Sequence, residues 1–424
     1  MWESSTIDLE TPSRQTGDRV ASSSAVPLLL LAACAATRIF ASWVDYTLPD
    51  MEPGYILTAQ AVFEHTGINA SYMPVGYPAL LYGVNTLFHD WVLTSHVVYV
   101  VFSTAAAALM YLLAREIISE SIARRVLVLS ILLPNFTAAV VGYSHTVVVG
   151  FGLLLLTMYA FWQLCDRGDR WGWCVVAALS GGAATLARGE SVLAWPLLLL
   201  IWFWRRRASA GAGRRFAMAG VMTLIVVAML FGVSRVAMRI GPGEPIGLLG
   251  NARYSYTGYI STLGYRATGS MDMDVATKLG EQAFGPVGAN GYSIPRAIRR
   301  NPKEALANIV FNVKSLLKEA GHPLFVPVFL LPLVGIGLTG RSAVAKPAGW
   351  LLLASVVPST LFSLILFHVE IRYMMPLTLP LVVLMAAGLD ALTSERRWVA
   401  GAVYGVTAVL FFAYLAHFHG IRTA

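Results

Sequence analysis

Long apolar runs separated by short basic loops make up most of the chain. The first runs from Val26 to Val44 and is interrupted only by Thr37, Arg38 and Ser42. Others follow at about 92–114, 122–141, 145–165, 172–187, 190–204, 216–237, 323–340, 347–367, 373–391 and 398–417. A helix needs roughly 20 residues to cross the hydrocarbon layer, so the pattern predicts about eleven transmembrane helices. Val26 to Ala36 has the length of a signal-peptide core and ends in small residues. Its apolar character continues through Ile39, Phe40 and Trp43, which predicts a retained helix.

Three stretches break this pattern. Residues 1–24 are polar and rich in Ser and Thr, and predict a disordered tail. In residues 45–91, Pro53 suits the first turn of a helix whose apolar positions are Tyr55, Ala59, Val62 and Phe63, closed by Gly67. A second helix, Tyr77 to Phe88, is too short to cross. Residues 238–322 are too polar to span and end in an amphipathic helix with Asn301 as N-cap, Pro302 at N1 and Glu304 at N3. Leu306, Ile309, Val310, Val313 and Leu317 share one face and Lys314 and Lys318 the other, predicting a helix that rests on the membrane over a cavity.

Composition agrees with a polytopic membrane protein. The 424 residues are 57% hydrophobic and 13% charged, whereas a soluble domain is about 25% charged. The net charge of +8 does not imply nucleic acid, because much of it lies in short loops. Arg115, Arg124 and Arg125, then Arg167 and Arg170, Arg205 to Arg207 with Arg214 and Arg215, Arg341 with Lys346, and Arg396 with Arg397 fall in alternate loops. The positive-inside rule makes these loops and the N-terminus cytoplasmic, and puts residues 45–91 and 238–322 outside. Short loops and a compact chain suggest a prokaryotic plasma membrane. The three cysteines have no metal-ligand spacing and imply no disulfide framework.

The candidate chemistry lies in the first external loop. Asp45, Asp50, Glu52 and Glu64 stand there with no Lys or Arg between Asp45 and Pro78. Asp50 and Glu52, one residue apart before Pro53, suit either of two roles. They can cap the following helix, or handle a polar substrate carried on a lipid. His145, His322 and His368 fall near external helix ends, where a lone histidine is usually a structural hydrogen-bonder. Trp and Tyr near span ends read as an interfacial belt. The sequons at Asn69 and Asn135 are patterns that chance often produces.

Four motifs, in order and on one side of the map, resemble the GT-C superfamily of integral-membrane glycosyltransferases, especially the protein-mannosyltransferase and aminoarabinose-transferase type. They are Asp50-Met51-Glu52 with Tyr55 and Ala59 behind it, Pro74-Val75-Gly76-Tyr77-Pro78, Ala187-Arg188-Gly189-Glu190, and Val369-Glu370-Ile371-Arg372-Tyr373 running to Pro376. The likeness spans about residues 26–393, and Gly189 stands where relatives often have Pro.

The resemblance implies an all-α membrane protein in which residues 25–424 form one GT-C-like transmembrane domain; as a departure from the family, the external segment 238–322 is shorter than a full soluble domain, so no separate carbohydrate-binding module is expected. It implies sugar transfer from a polyprenyl-phosphate donor to a glycan, lipid or protein acceptor at the extracytoplasmic face. Asp50 is the expected base, and Glu52 orients it or helps hold Mg²⁺ or Mn²⁺. Arg188 and Arg372 suit the lipid phosphate. Arg38, about two turns inside the first span, is expected to reach the same cavity. Tyr55, Tyr77, Glu190, Glu370 and Tyr373 complete the expected substrate surroundings. A transporter or flippase is the alternative, with the acids binding ions and the arginines a head group. Such proteins place their charges near mid-membrane on broken helices, whereas these cluster at external span ends.

Overall fold

The computed structural model describes residues 25–44, 52–64, 75–132, 145–209, 211–240, 252–269, 272–286, 291–320, 347–366 and 375–395, with short pieces between 398 and 409. Asp50, Glu370, Arg372, Tyr373, the tail 1–24, the span at 323–340, both sequons, His322 and His368 lie outside the described residues. Within the described residues all regular structure is helical.

The first helix, α1 (Ala25–Val44), is followed by two short ones, α2 (Glu52–Phe63) and α3 (Gly76–Phe88). Then come α4 (Trp91–Ile117), α5 (Glu120–Leu132), α6 (Thr146–Arg167) and α7 (Trp171–Ala187). A 3₁₀ turn (Gly189–Leu193) leads into α8 (Ala194–Arg205), and α9 (Ala212–Ile240) follows. The segment between spans carries α10 (Ala252–Thr268), α11 (Met273–Phe284), α12 (Ile294–Arg300) and α13 (Pro302–Ala320). The chain continues through α14 (Pro347–Ala354), α15 (Val357–Leu366) and α16 (Thr378–Glu395).

Four of these helices are long and apolar enough to cross a membrane: Ala25–Trp43, Trp91–Ile117, Thr146–Arg167 and Ala212–Gly232. The expected eleven crossings are not reached among the described residues. Two differences have local causes. The run at 190–204 opens as a 3₁₀ turn, and its α-helix starts only at Ala194, two residues before Pro196. The run at 347–367 is two helices, because Pro358 has no N–H to give Ala354, where α14 ends. In α2 the helix stops at Phe63, before the expected Gly67.

The apolar window of α6 is 83% buried and that of α1 only 22%, so α6 is the centre of the bundle and α1 its margin. Helices α4 and α7 flank α6. Small residues let them approach: a Cβ at Gly152 of α6 would lie 3.3 Å from the Phe102 carbonyl oxygen of α4, and one at Gly181 of α7 would lie 3.4 Å from the Thr157 side chain of α6.

At one end the basic loops are tied together. Arg115 and Arg167 both pair with Glu116, Arg125 pairs with Asp390 at 3.0 Å, and Asp169 lies within 4.0 Å of Arg206 and Arg215. Grouping these loops at one end agrees with the alternation read from the chain. The segment between α9 and α14 has its own small core of Tyr256, Tyr259, Ile260, Leu263, Phe284 and Ala297. Asn301 caps α13 as expected, its Oδ1 accepting from Glu304 N at 3.2 Å.

Candidate functional site

The start of α2 sets the site. Glu52 is the first residue of this helix, with Pro53 behind it in the first turn, where a missing N–H costs nothing. Its side chain does not turn back to cap the helix. It reaches inward and is fully buried, and its Oε1 accepts from the Tyr77 hydroxyl and from Ser95 Oγ at 2.8 Å. Ser95 Oγ also lies 2.7 Å from His145 Nδ1. Ser95 has one proton to give, and Glu52 takes it. While Glu52 is ionised and takes that hydrogen bond, neutral His145 donates from Nδ1. The imidazole stacks on Tyr99 with ring centres 4.9 Å apart and meets His96 edge-on at 5.5 Å. Four elements meet in this cluster: α2, α3, α4 and the residue preceding α6.

Burial pushes the Glu52 carboxyl up to about 7, while hydrogen bonds from Tyr77 and Ser95 pull the other way. Tyr77 is pushed well above its ordinary value by burial and by the neighbouring Glu52 charge. Glu52 Oε2 and His145 Nε2 are buried without a partner among the described residues.

The end of α7 brings the third expected motif to the same place. Ala187 packs in one apolar cluster with Tyr55, Ile56, Tyr77, Leu81, Val98 and Val149. Thr146 Oγ1 donates to the Ala187 carbonyl at 3.4 Å. Gly76 lets α3 lie against the α7 backbone, since a Cβ there would come within 2.6 Å of the Leu186 carbonyl carbon. Arg188 then runs over Gly150, where a Cβ would meet its Cγ at 2.8 Å, and its guanidinium pairs with Glu190. Glu52, Tyr55, Tyr77, Arg188 and Glu190 thus gather around one end of α6.

Tyr55 and Tyr77 are buried and touch edge to face at 5.0 Å, beside Glu52. Arg38 lies deeper in the bundle, close enough to Tyr99 for its charge to act on that ring, which stacks on His145. It is fully buried in the bundle, and its Nη1 donates to the Cys34 carbonyl and sulfur at 2.8 Å each, its Nη2 to the Ser130 carbonyl at 3.2 Å. All three cysteines are free and buried.

Ser95 and its bond to His145 were not anticipated. Ser95 hides in an apolar run, and only the polar set Ser95, His96 and Tyr99 within one turn of a span pointed to it. Among the described residues no three His, Cys, Asp or Glu side chains gather to hold a metal ion. Asp50, the other expected ligand, lies outside the described residues, and Glu52 Oε1 is already engaged twice.

No protein-family model and no curated protein sequence matches the chain. Solved structures do. The archaeal oligosaccharyltransferase AglB from Archaeoglobus fulgidus, in complex with an inhibitory peptide and a dolichol-phosphate, superposes with a TM-score of 0.55 at 13% identity over 94% of this chain. Its apo form gives 0.56 at 12% identity over 92%. A third structure, ArnT from Cupriavidus metallidurans bound to undecaprenyl phosphate, matches over 95% of this chain and 79% of its own at 15% identity, with a TM-score of 0.43. The chain spans 55% of the length of the oligosaccharyltransferase in both forms. In fold, the chain is similar to the GT-C integral-membrane glycosyltransferases, the superfamily its motifs resemble.

Proposed function

We propose that the chain is a glycosyltransferase of the GT-C type that moves a sugar from a polyprenyl-phosphate donor to an acceptor hydroxyl at the extracytoplasmic membrane face. Residues 25–424 act as one unit. Asp50 takes the acceptor proton as the hydroxyl oxygen attacks the anomeric carbon. The bond from that carbon to the lipid phosphate breaks on the opposite side, inverting the centre. The leaving phosphate is met by Arg188 and Arg372, whose guanidinium groups suit it better than a point charge. Glu190 and Glu370 orient these arginines. Glu52 holds the loop in place and leaves proton transfer to Asp50. The acceptor is a hydroxyl of a glycan, a lipid or a protein.

One observation supports this reading above the others. The helix that follows Asp50 is locked through Glu52 at the same end of α6 as the Arg188–Glu190 pair, away from the end where the basic loops meet. A transporter of the broken-helix type would put its charges near mid-membrane. The test is incubation of the detergent-purified protein with a labelled polyprenyl-phosphate sugar and a mixture of cell-envelope acceptors. Label moving to an acceptor is the expected result. Counterflow of the lipid-linked sugar in vesicles, without transfer, would overturn it in favour of a carrier.

A further inference from the structure

We infer that the exposed side of α13 docks on a bilayer surface bearing anionic headgroups, with three aliphatic side chains immersed and two lysines at their edge meeting the lipid phosphates. This docking is independent of sugar transfer and involves only the segment between α9 and α14.

With 19 residues α13 is long enough to cross a membrane, yet it is not among the helices apolar enough to do so. A helix of mixed polarity with one apolar side lies in the interface instead. At about 100° per residue, Leu306, Val310 and Val313 share a sector of about 60°. They are 60%, 45% and 47% exposed. A contiguous apolar stripe left open in this way, rimmed by polar groups, marks a surface that meets something. Lys303 and Lys314 are exposed as well and fall within about 40° of Val310, on one edge of the stripe. Lys314, expected on the face away from the apolar residues, therefore borders them. The opposite side of the helix, Ala305, Asn308 and Asn312, is buried.

Two observations name the occupant. The first is height. α13 packs on α15, part of the apolar run at 347–367, and α15 itself exposes Leu361 and Phe362. The stripe thus continues an apolar surface of the kind a membrane helix turns to lipid. The second is charge. Among the described side chains of α13, those bordering the stripe are both cations, and Glu304 is turned away and paired with Arg266 of α10. Arg296 and Arg299 of α12 add two exposed cations just before the helix. Lysine stems lie along apolar surface and carry the ammonium up to the headgroups. Each lysine near an anionic surface strengthens association about fivefold, so the pair contributes roughly 25-fold.

Nitroxide labels read the depth directly. Val310→Cys is labelled in a background lacking Cys34, Cys165 and Cys174, and Thr277→Cys, at an exposed position of α11, is the reference in water. Each full-length protein is reconstituted in vesicles of phosphatidylcholine alone and of phosphatidylcholine with phosphatidylglycerol. In the anionic vesicles the Val310 label should collide with oxygen and be shielded from a water-soluble nickel complex, while the Thr277 label meets nickel freely. Shielding at Val310 should weaken in the neutral vesicles. Lys303→Gln/Lys314→Gln should weaken it in the anionic ones, lowering the ratio of immersed to solvated label by roughly 25-fold. All these side chains are exposed, so the melting temperature should stay near that of the wild type. Nickel contact at Val310 equal to that at Thr277 in anionic vesicles would overturn the docking. Equal shielding in neutral and anionic vesicles would overturn the part given to the lysines. Disulfide-linked dimers of Val310→Cys, with shielding that ignores lipid composition, would assign the face to a second copy of the chain and overturn the inference as well.

Discussion

A carboxyl group with no solvent exposure states its own conditions of stability. Burial raises the Glu52 carboxyl from 4.5 to about 7, so between these values the folded protein keeps a proton that the unfolded chain has released. The stability from this group is full below pH 4.5 and is lost as pH rises through 7. Glu52→Gln keeps an acceptor for Tyr77 and Ser95 but does not titrate. The melting temperature of the wild type should therefore fall relative to this variant across that interval, and parallel curves by scanning calorimetry would show that the side chain is not buried in this way. The neighbouring Asp50 calls for a different measurement. Asp50→Asn keeps the shape and the capping ability of the side chain, since Asn and Asp rank alike as N-caps. It should lower sugar transfer by roughly 10²–10⁴-fold while thermal stability changes by less than the ~1 kcal/mol that loss of a cap costs. Transfer at the wild-type rate would remove Asp50 from the mechanism. The acidic motif was legible from the spacing of two acids before Pro53. The inward turn of Glu52 was not, because its partners Ser95 and His145 are distant in sequence.

Among the helices, α13 is turned outside in. Leu306, Val310 and Val313 are exposed, while Ala305, Asn308 and Asn312 are buried. The exposed apolar stripe is what a helix lying on a membrane would present. On the inner face Asn308 Oδ1 accepts from Arg266 at 2.6 Å, but neither polar atom of the Asn312 side chain has a partner among the described residues. A buried, unsatisfied group costs about 1–3 kcal/mol. Asn312→Leu, similar in size and without polar atoms, should thus raise the stability of the purified protein by an amount of that order. A drop in melting temperature would mean that Asn312 is satisfied in solution. The cap and the apolar stripe of α13 were both readable from the chain, since each depends on neighbours within a turn or two. The polar inner face was not, because what it packs on is set by α10 and α15. The break before Pro358 was overlooked for a different reason: hydropathy counts apolar residues and takes no account of a missing N–H.

At the scale of the whole molecule, the ion pairs around Glu116, Asp169 and Asp390 gather the basic loops at one end, and the Glu52 cluster and Arg188 gather at the other. The positive-inside rule predicts that the basic end is cytoplasmic and that residues 45–91 and 238–322 face outward, and labelling tests this. A cysteine at Ser71 or Ser270, in a background lacking Cys34, Cys165 and Cys174, should react with an impermeant thiol reagent in intact cells. One at Ser209 should not. Labelling at Ser209 with protection at Ser71 would reverse the orientation and remove the acidic loop from the external face.

Hydropathy and charge along the chain were enough to establish an all-helical membrane protein, the alternation of its basic loops and the short helices between spans. Each of these follows from the cost of moving a peptide or a charge into hydrocarbon, which acts on every residue regardless of its distant neighbours. The order of the four motifs was enough to suggest the superfamily. Which polar groups meet was decided by packing alone. Arg38 donates to the carbonyls of Cys34 and Ser130, and Glu52 finds Tyr77 and Ser95. A buried hydrogen bond needs two elements to arrive at the same point within a few tenths of an ångström. That coincidence is a property of the tertiary structure, and no pattern of neighbours along the chain encodes it.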